Sequence, residues 1–181
     1  NIGRGVIKVS AIREGCRIIE APAIVFNDQR EVLEAFDRGE LERDFVCVVR
    51  YQGPRANGMP ELHKLTPPLG ILQDRGFSVA LLTDGRMSGA SGKVPAAIHM
   101  SPEALMGGGI GKIRTGDLIR FDSVTGELNV LINEAEWAAR EVEQIDLSAN
   151  QQGCGRELFA NLRSMTSSAE TGAMSFGGEF A

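Results

Sequence analysis

Several things are scarce in this 181-residue chain. It has one Trp, one Tyr, two His and three Cys, and aromatics make up only 6% of it. No apolar run approaches the roughly 18 residues of a membrane span. Positive charge is not in excess either. The formal net charge is −5 and the sequence pI is about 5.2, which argues against the basic surface that sequence-independent nucleic-acid binding needs. The cysteines Cys16, Cys47 and Cys154 are far apart, with no C-x-x-C and no Cys/His grouping of zinc spacing. An odd, sparse count suits a reducing cytosol. Cys47, inside F-V-C-V-V, reads as a core position.

What is present describes one α/β domain. Hydrophobic residues make up 43% of the chain, close to the roughly 45% of ordinary globular chains. Glycine, at 22 residues, exceeds the roughly 7% average and signals many tight turns. The chain opens at once on strand-like sequence and reads as a piece of something longer. Residues 6–12 and 17–26 are β-branched and partly alternating, with Pro22 placing the second at an edge or bulge. Asp28 and Glu31 form a capping-box pattern for a helix that Gly39 ends. Residues 45–51 and 77–83 read as buried strands. A short helical piece from Glu61 is expected to be cut by Pro67 and Pro68. Ser101 and Pro102 read as N-cap and first helical residue. Strands at 112–122 and 126–132, a helix from Asn133 to Glu143 and a last helix over 155–165 complete the domain. The Ser/Gly/Ala-rich stretch 166–181 reads as a loosely held tail.

Two segments carry polar chemistry, and each follows a buried strand. Ligands of α/β folds collect at the carboxyl ends of strands. Residues 83–93, T-D-G-R-M-S-G-A-S-G-K, supply Asp84, Arg86, Ser88, Ser91 and Lys93 around three glycines. Backbone N–H groups there could face an anion, and a plain surface loop is the alternative. This is not a P-loop, because Met87 and Val94 stand where Gly and Ser or Thr are required. Residues 50–64, R-Y-Q-G-P-R-A-N-G-M-P-E-L-H-K, crowd Arg55, Glu61, His63 and Lys64 into a short stretch. Taken alone, Glu61 is equally a first-turn helix charge. His63 and His99 both read as structural.

Together, G-P-R-A-N-G-M-P-E-L and T-D-G-R-M-S-G-A-S-G-K, with S-P-E-A at 101–104 and G-D-L-I-R at 116–120, resemble the carboxy-terminal domain of the dihydroxy-acid and phosphogluconate dehydratases. The likeness runs from about Val6 to Leu162. Within that family, G-M-P-E-L-H-K-L-T-P-P, S-G-K-V-P-A-A-I-H and the closing R-E-L-F-A-N-L-R resemble the phosphogluconate branch.

The resemblance implies a swivelling β/β/α domain over residues 1–165, a mixed barrel-like sheet with helices packed outside. The amino-terminal domain of such enzymes is absent from this chain. It also implies removal of water from 6-phosphogluconate to give 2-dehydro-3-deoxy-6-phosphogluconate, in the Entner–Doudoroff pathway. The implied cofactors are an iron–sulfur cluster, with ligands in the missing domain, and a divalent cation, usually magnesium. A cytoplasmic homodimer is implied, with no membrane or nucleic-acid partner. By position, Glu61 matches the cation's carboxylate ligand and Ser88 the proposed base. Lys93 and Ser91 are expected to hold the phosphate with help from Arg86 or Arg55, with Asp84 and His63 nearby. The alternatives are a dihydroxy-acid or other sugar-acid dehydratase domain and a non-catalytic ligand-binding module.

Overall fold

The computed structural model describes residues 1–7, 9–88 and 92–176. Its frame is a mixed seven-stranded sheet in the order β1-β5-β4-β3-β2-β6-β7. The strands are β1 (Arg4–Ile7), β2 (Ile18–Phe26), β3 (Phe45–Val49), β4 (Val79–Thr83), β5 (Ala96–Ser101), β6 (Leu118–Asp122) and β7 (Glu127–Val130). Strands β2 to β5 run parallel, while β1, β6 and β7 pair antiparallel with their neighbours.

Strand β2 bends the sheet. Its first half, Ile18–Pro22, pairs with β6, and its second half, Ala23–Phe26, pairs with β3. Pro22 sits at that changeover, and the Ala23 N–H takes over by donating to Asp117 O at 2.7 Å. The proline thus marks a switch of partner inside the sheet rather than an edge. A proline has no N–H to lose, so it fits where the ladder is interrupted anyway.

Both faces of the central strands are buried. Alternate residues of β3 divide between two cores, Val46 and Val48 in one, Phe45, Cys47 and Val49 in the other. Helices α1 (Gln29–Asp37) and α3 (Thr66–Asp74) cover the second core with Val32, Ala35, Leu69 and Leu72. The first core is closed by Ile119, Phe121 and Val130 as β6 and β7 curl over it. The expected α/β class and barrel-like sheet with outer helices are therefore observed.

Local signals resolve in two ways. The capping box of Asp28 and Glu31 forms, and Gly39 follows α1 at φ 73°. Pro67 and Pro68 do not cut a helix; they occupy the first turn of α3, where no intrahelical N–H is needed. Ser101 ends β5 and Pro102 starts no helix; only a 3-10 turn, Ala104–Met106, follows Glu103. The last helices are shorter than expected, α4 at Glu134–Ala139 and α5 at Ala160–Met165. Beyond α5, buried Thr166 accepts a hydrogen bond on its carbonyl from Arg55 Nε at 2.6 Å. Among the described residues no helix is long and apolar enough to cross a membrane.

Candidate active site

Strands β3 and β4 are parallel neighbours, so the loops leaving their carboxyl ends emerge side by side. The first loop contains the short helix α2 (Pro54–Asn57) and continues to Glu61; the second carries Arg86 and Ser88. They are joined by an isolated parallel bridge between Glu61 and Arg86. Above it, Arg86 Nη1 donates to Glu61 Oε2 at 2.9 Å and Arg86 Nε donates to Met59 O at 2.8 Å. The other carboxylate oxygen, Oε1, accepts the Ser88 N–H at 2.6 Å and the His63 N–H at 3.1 Å. Glu61, Arg86, Ser88 and His63 are thus brought together around one carboxylate.

Two buried carboxylates hold this arrangement from below. Asp84 is fully buried and accepts three backbone N–H groups, from Tyr51 at 3.1 Å, Gln52 at 2.9 Å and Ala104 at 2.9 Å. Burial pushes its acid up to about 6, against the pull of those N–H groups. Its oxygens fix the start of the first loop to the end of β4 rather than facing solvent. Glu103 does the same for α2, accepting from Arg55 N at 2.9 Å and Ala56 N at 3.1 Å. It acts as a remote N-cap, because Gly53 at the N-cap has no side chain to offer. A Cβ on Gly53 would lie 2.1 Å from Glu103 Oε2, so only glycine fits there. Burial raises the Glu103 acid as well.

The remaining expected residues are dispersed. Arg55 reaches away from Glu61 to Thr166 O and to Met106 Sδ at 3.4 Å. Lys93 lies on a groove of about 400 Å³ with His63, Thr66 and Ser88. Its Nζ is 2.6 Å from Asp74 Oδ2, and Asp74 also pairs with Arg13 at 3.1 Å. Ser91 lies outside the described residues.

A larger cavity of about 540 Å³ borders Arg86 on another side, lined also by His99, Phe159 and Arg163. His99 sits at φ 57° with its N–H donating to Gly85 O at 2.9 Å, and burial, then the Arg86 charge, lower its basicity. Neither His99 nor Arg163 stands out by spacing. Arg163 belongs to R-E-L-F-A-N-L-R, a segment whose only signal was the family likeness.

The implied cofactors meet these residues unequally. The cysteines are dispersed, Cys16 partly buried, Cys47 buried and Cys154 exposed. Among the described residues no three His, Cys, Asp or Glu side chains gather as a metal group. The chain therefore does not fit an iron–sulfur cluster. Glu61, with about a third of its side chain exposed, fits as one oxygen ligand of a hard cation.

The family model described as dihydroxy-acid/6-phosphogluconate dehydratase C-terminal matches residues 1–173. A phosphogluconate dehydratase of Pseudomonas aeruginosa is 64% identical over 176 residues, covering 97% of this chain and 29% of that protein. One from Escherichia coli K12 is 60% identical, covering 96% and 29%. A dihydroxy-acid dehydratase of Pyrococcus furiosus is 40% identical over 140 residues, covering 76% and 25%. The chain spans less than a third of the length of these relatives. It belongs to the dihydroxy-acid/6-phosphogluconate dehydratase family, as the carboxy-terminal domain of that family.

Proposed function

We propose that this chain is the carboxy-terminal part of a cytoplasmic, homodimeric hydro-lyase that removes water from 6-phosphogluconate. The observation that carries the reading is the 64% identity, over 97% of the chain, to a protein named phosphogluconate dehydratase. The weaker and shorter match to a dihydroxy-acid dehydratase supports that alternative less. A binding module without chemistry has no observation in its favour.

The reaction takes the proton from C2 and hydroxide from C3, leaving an enol that becomes the 2-keto acid. The C2 proton lies beside a carboxylate, so its removal builds enolate charge. Ser88, on the groove next to Glu61, is the base in this reading. A serine hydroxyl is a weak base and needs cationic charge close by to ionise. Arg86 is the cation that this chain places against Glu61, and it also steadies the substrate carboxylate. Glu61 would give one oxygen to a divalent cation. When bound, such a cation supplies charge stabilisation for the developing enolate. His63 and Lys93 line the groove beside Ser88. Because Lys93 is already neutralised by Asp74, it is a secondary contact for the anionic substrate. Since the iron–sulfur cluster finds no ligands here, the isolated chain is expected to be inactive.

The test uses the full-length parent, prepared without oxygen. Formation of 2-keto acid is followed from 6-phosphogluconate, gluconate and 2,3-dihydroxyisovalerate. A strong preference for the first supports the reading; a preference for either of the others moves the function to another branch.

A further inference from the structure

Among the described residues no carboxylate pairs directly with Arg163, and Glu157 is the nearby acid that favours its charge. Arg163 Nη1 donates to Arg156 O at 2.9 Å and its Nη2 to Gln151 Oε1 at 2.5 Å, both neutral acceptors. Its Nε is buried with no hydrogen-bond partner, and among the described residues no carboxylate lies within 4.0 Å of the guanidinium. Among the described residues Arg156, next to it, likewise donates only to neutral oxygens, of Asn57 and Asn150. Burial and then the Arg156 charge work against the Arg163 cation, and the Glu157 charge offsets them only in part. Crowding like charges in a half-buried place is costly unless an anion completes the site.

The place is an open pocket. Arg163 lines the space of about 540 Å³ that also receives Arg86 and His99, with the Thr166 and Ser175 segments forming another wall. Arg86 uses Nε and Nη1 on Met59 and Glu61. The same guanidinium therefore belongs to the Glu61 centre and to the mouth of this cavity. A chain-like acid reacting at that centre could run its far end toward Arg163. On the other side, Lys93 has already spent its charge on Asp74.

We propose that the cavity bounded by Arg86, His99 and Arg163 is the subsite for the phosphoryl group of the substrate, with Arg163 as its principal ligand and specificity-determining residue. This rests on the reading of the chain as part of a dehydratase acting on a phosphorylated acid. A planar guanidinium matches a phosphate monoester dianion better than an ammonium does.

The experiment uses the full-length enzyme in wild-type form and as Arg163→Gln, Arg163→Lys and Lys93→Ala. It has two readouts: kcat/KM for 6-phosphogluconate against gluconate, and thermal stabilisation by inorganic phosphate. Losing a charged hydrogen bond to phosphate should raise KM for 6-phosphogluconate about tenfold or more in Arg163→Gln. The rate on gluconate and the kcat should stay near wild type. Arg163→Lys should recover part of the loss, and Lys93→Ala should change discrimination less. Stabilisation by phosphate should vanish in Arg163→Gln and persist in Lys93→Ala.

Unchanged discrimination in a folded Arg163→Gln, or phosphate stabilisation that does not need Arg163, overturns the proposal. If Arg163→Gln does not fold, Arg163→Lys decides: full wild-type discrimination and phosphate response there remove the case for a guanidinium ligand. A wild type that dehydrates neither acid, yet binds phosphate through Arg163, sinks the dehydratase reading and leaves the subsite standing.

Discussion

Glu61 and Arg86 meet twice, through a parallel backbone bridge and through a carboxylate–guanidinium contact of 2.9 Å. One charge pair therefore fixes the relative position of the two loops that leave β3 and β4. The pair is partly exposed, so its own contribution to stability is small. Its consequence is positional: the Glu61 oxygen left over also takes the Ser88 N–H. Glu61→Gln keeps the shape and removes the charge. In the full-length enzyme it should lower turnover about a hundredfold or more and raise the divalent-cation concentration needed for half activity. Normal turnover at ordinary cation concentration removes Glu61 from the reaction.

Ser88 is tested by deleting one oxygen. Its backbone N–H, not its hydroxyl, holds it to Glu61, so Ser88→Ala should leave the loop in place. Loss of a base in the transition state lowers kcat about a hundredfold or more, with KM little changed. Near-normal kcat with an intact cluster would show that another group takes the proton.

Asp84 gives a pH signature. Its acid is raised from 3.8 to about 6 in the folded chain, chiefly by burial. Between those values the native state binds more protons at this position than the unfolded state. Stability from this position is therefore fully present below about pH 4 and is lost as pH rises through about 6, by an amount of about 3 kcal/mol. Asp84→Asn cannot titrate. The difference in unfolding free energy between wild type and Asp84→Asn should shift against the wild type across that window and be flat above it. Denaturant titrations at about pH 4, 5, 6 and 7 read this directly. A constant difference would mean that the three backbone N–H groups hold the carboxylate charged throughout.

How much of this could be read from the sequence depends on how far apart the partners are. The Asp28–Glu31 capping box and the strand at Phe45 are local patterns, and they form as read. Nothing local marks Glu103 for its role. Its actual partners, Arg55 N and Ala56 N, are 48 and 47 residues away, and no local window contains them. Pro22 is expected at an edge or bulge because a lone strand does not reveal that it changes partners halfway. The β3 and β4 loops were legible as the polar ends of buried strands. Their joining through Glu61 and Arg86 follows from the strands being parallel neighbours, which spacing alone does not specify. Arg163 is hidden for the same reason: the neutral partners that its guanidinium meets, Arg156 O and Gln151 Oε1, are a property of the folded surroundings.

Asp74 offers a prediction of opposite sign to the others. It holds Lys93 at 2.6 Å and Arg13 at 3.1 Å on the rim of the groove that contains Ser88. An anionic substrate approaching Lys93 must compete with that carboxylate. Asp74→Asn keeps the volume and frees both cations, so KM for 6-phosphogluconate should fall, about two- to fivefold given the small strength of exposed pairs. Lys93→Ala should raise KM by a similar small factor. The double variant should resemble Lys93→Ala, because Asp74 acts on the substrate through Lys93. High salt should shrink both effects. If Asp74→Asn lowers KM equally in the absence of Lys93, then Arg13 or the general field of the groove is responsible, and Lys93 has no direct part in holding the substrate.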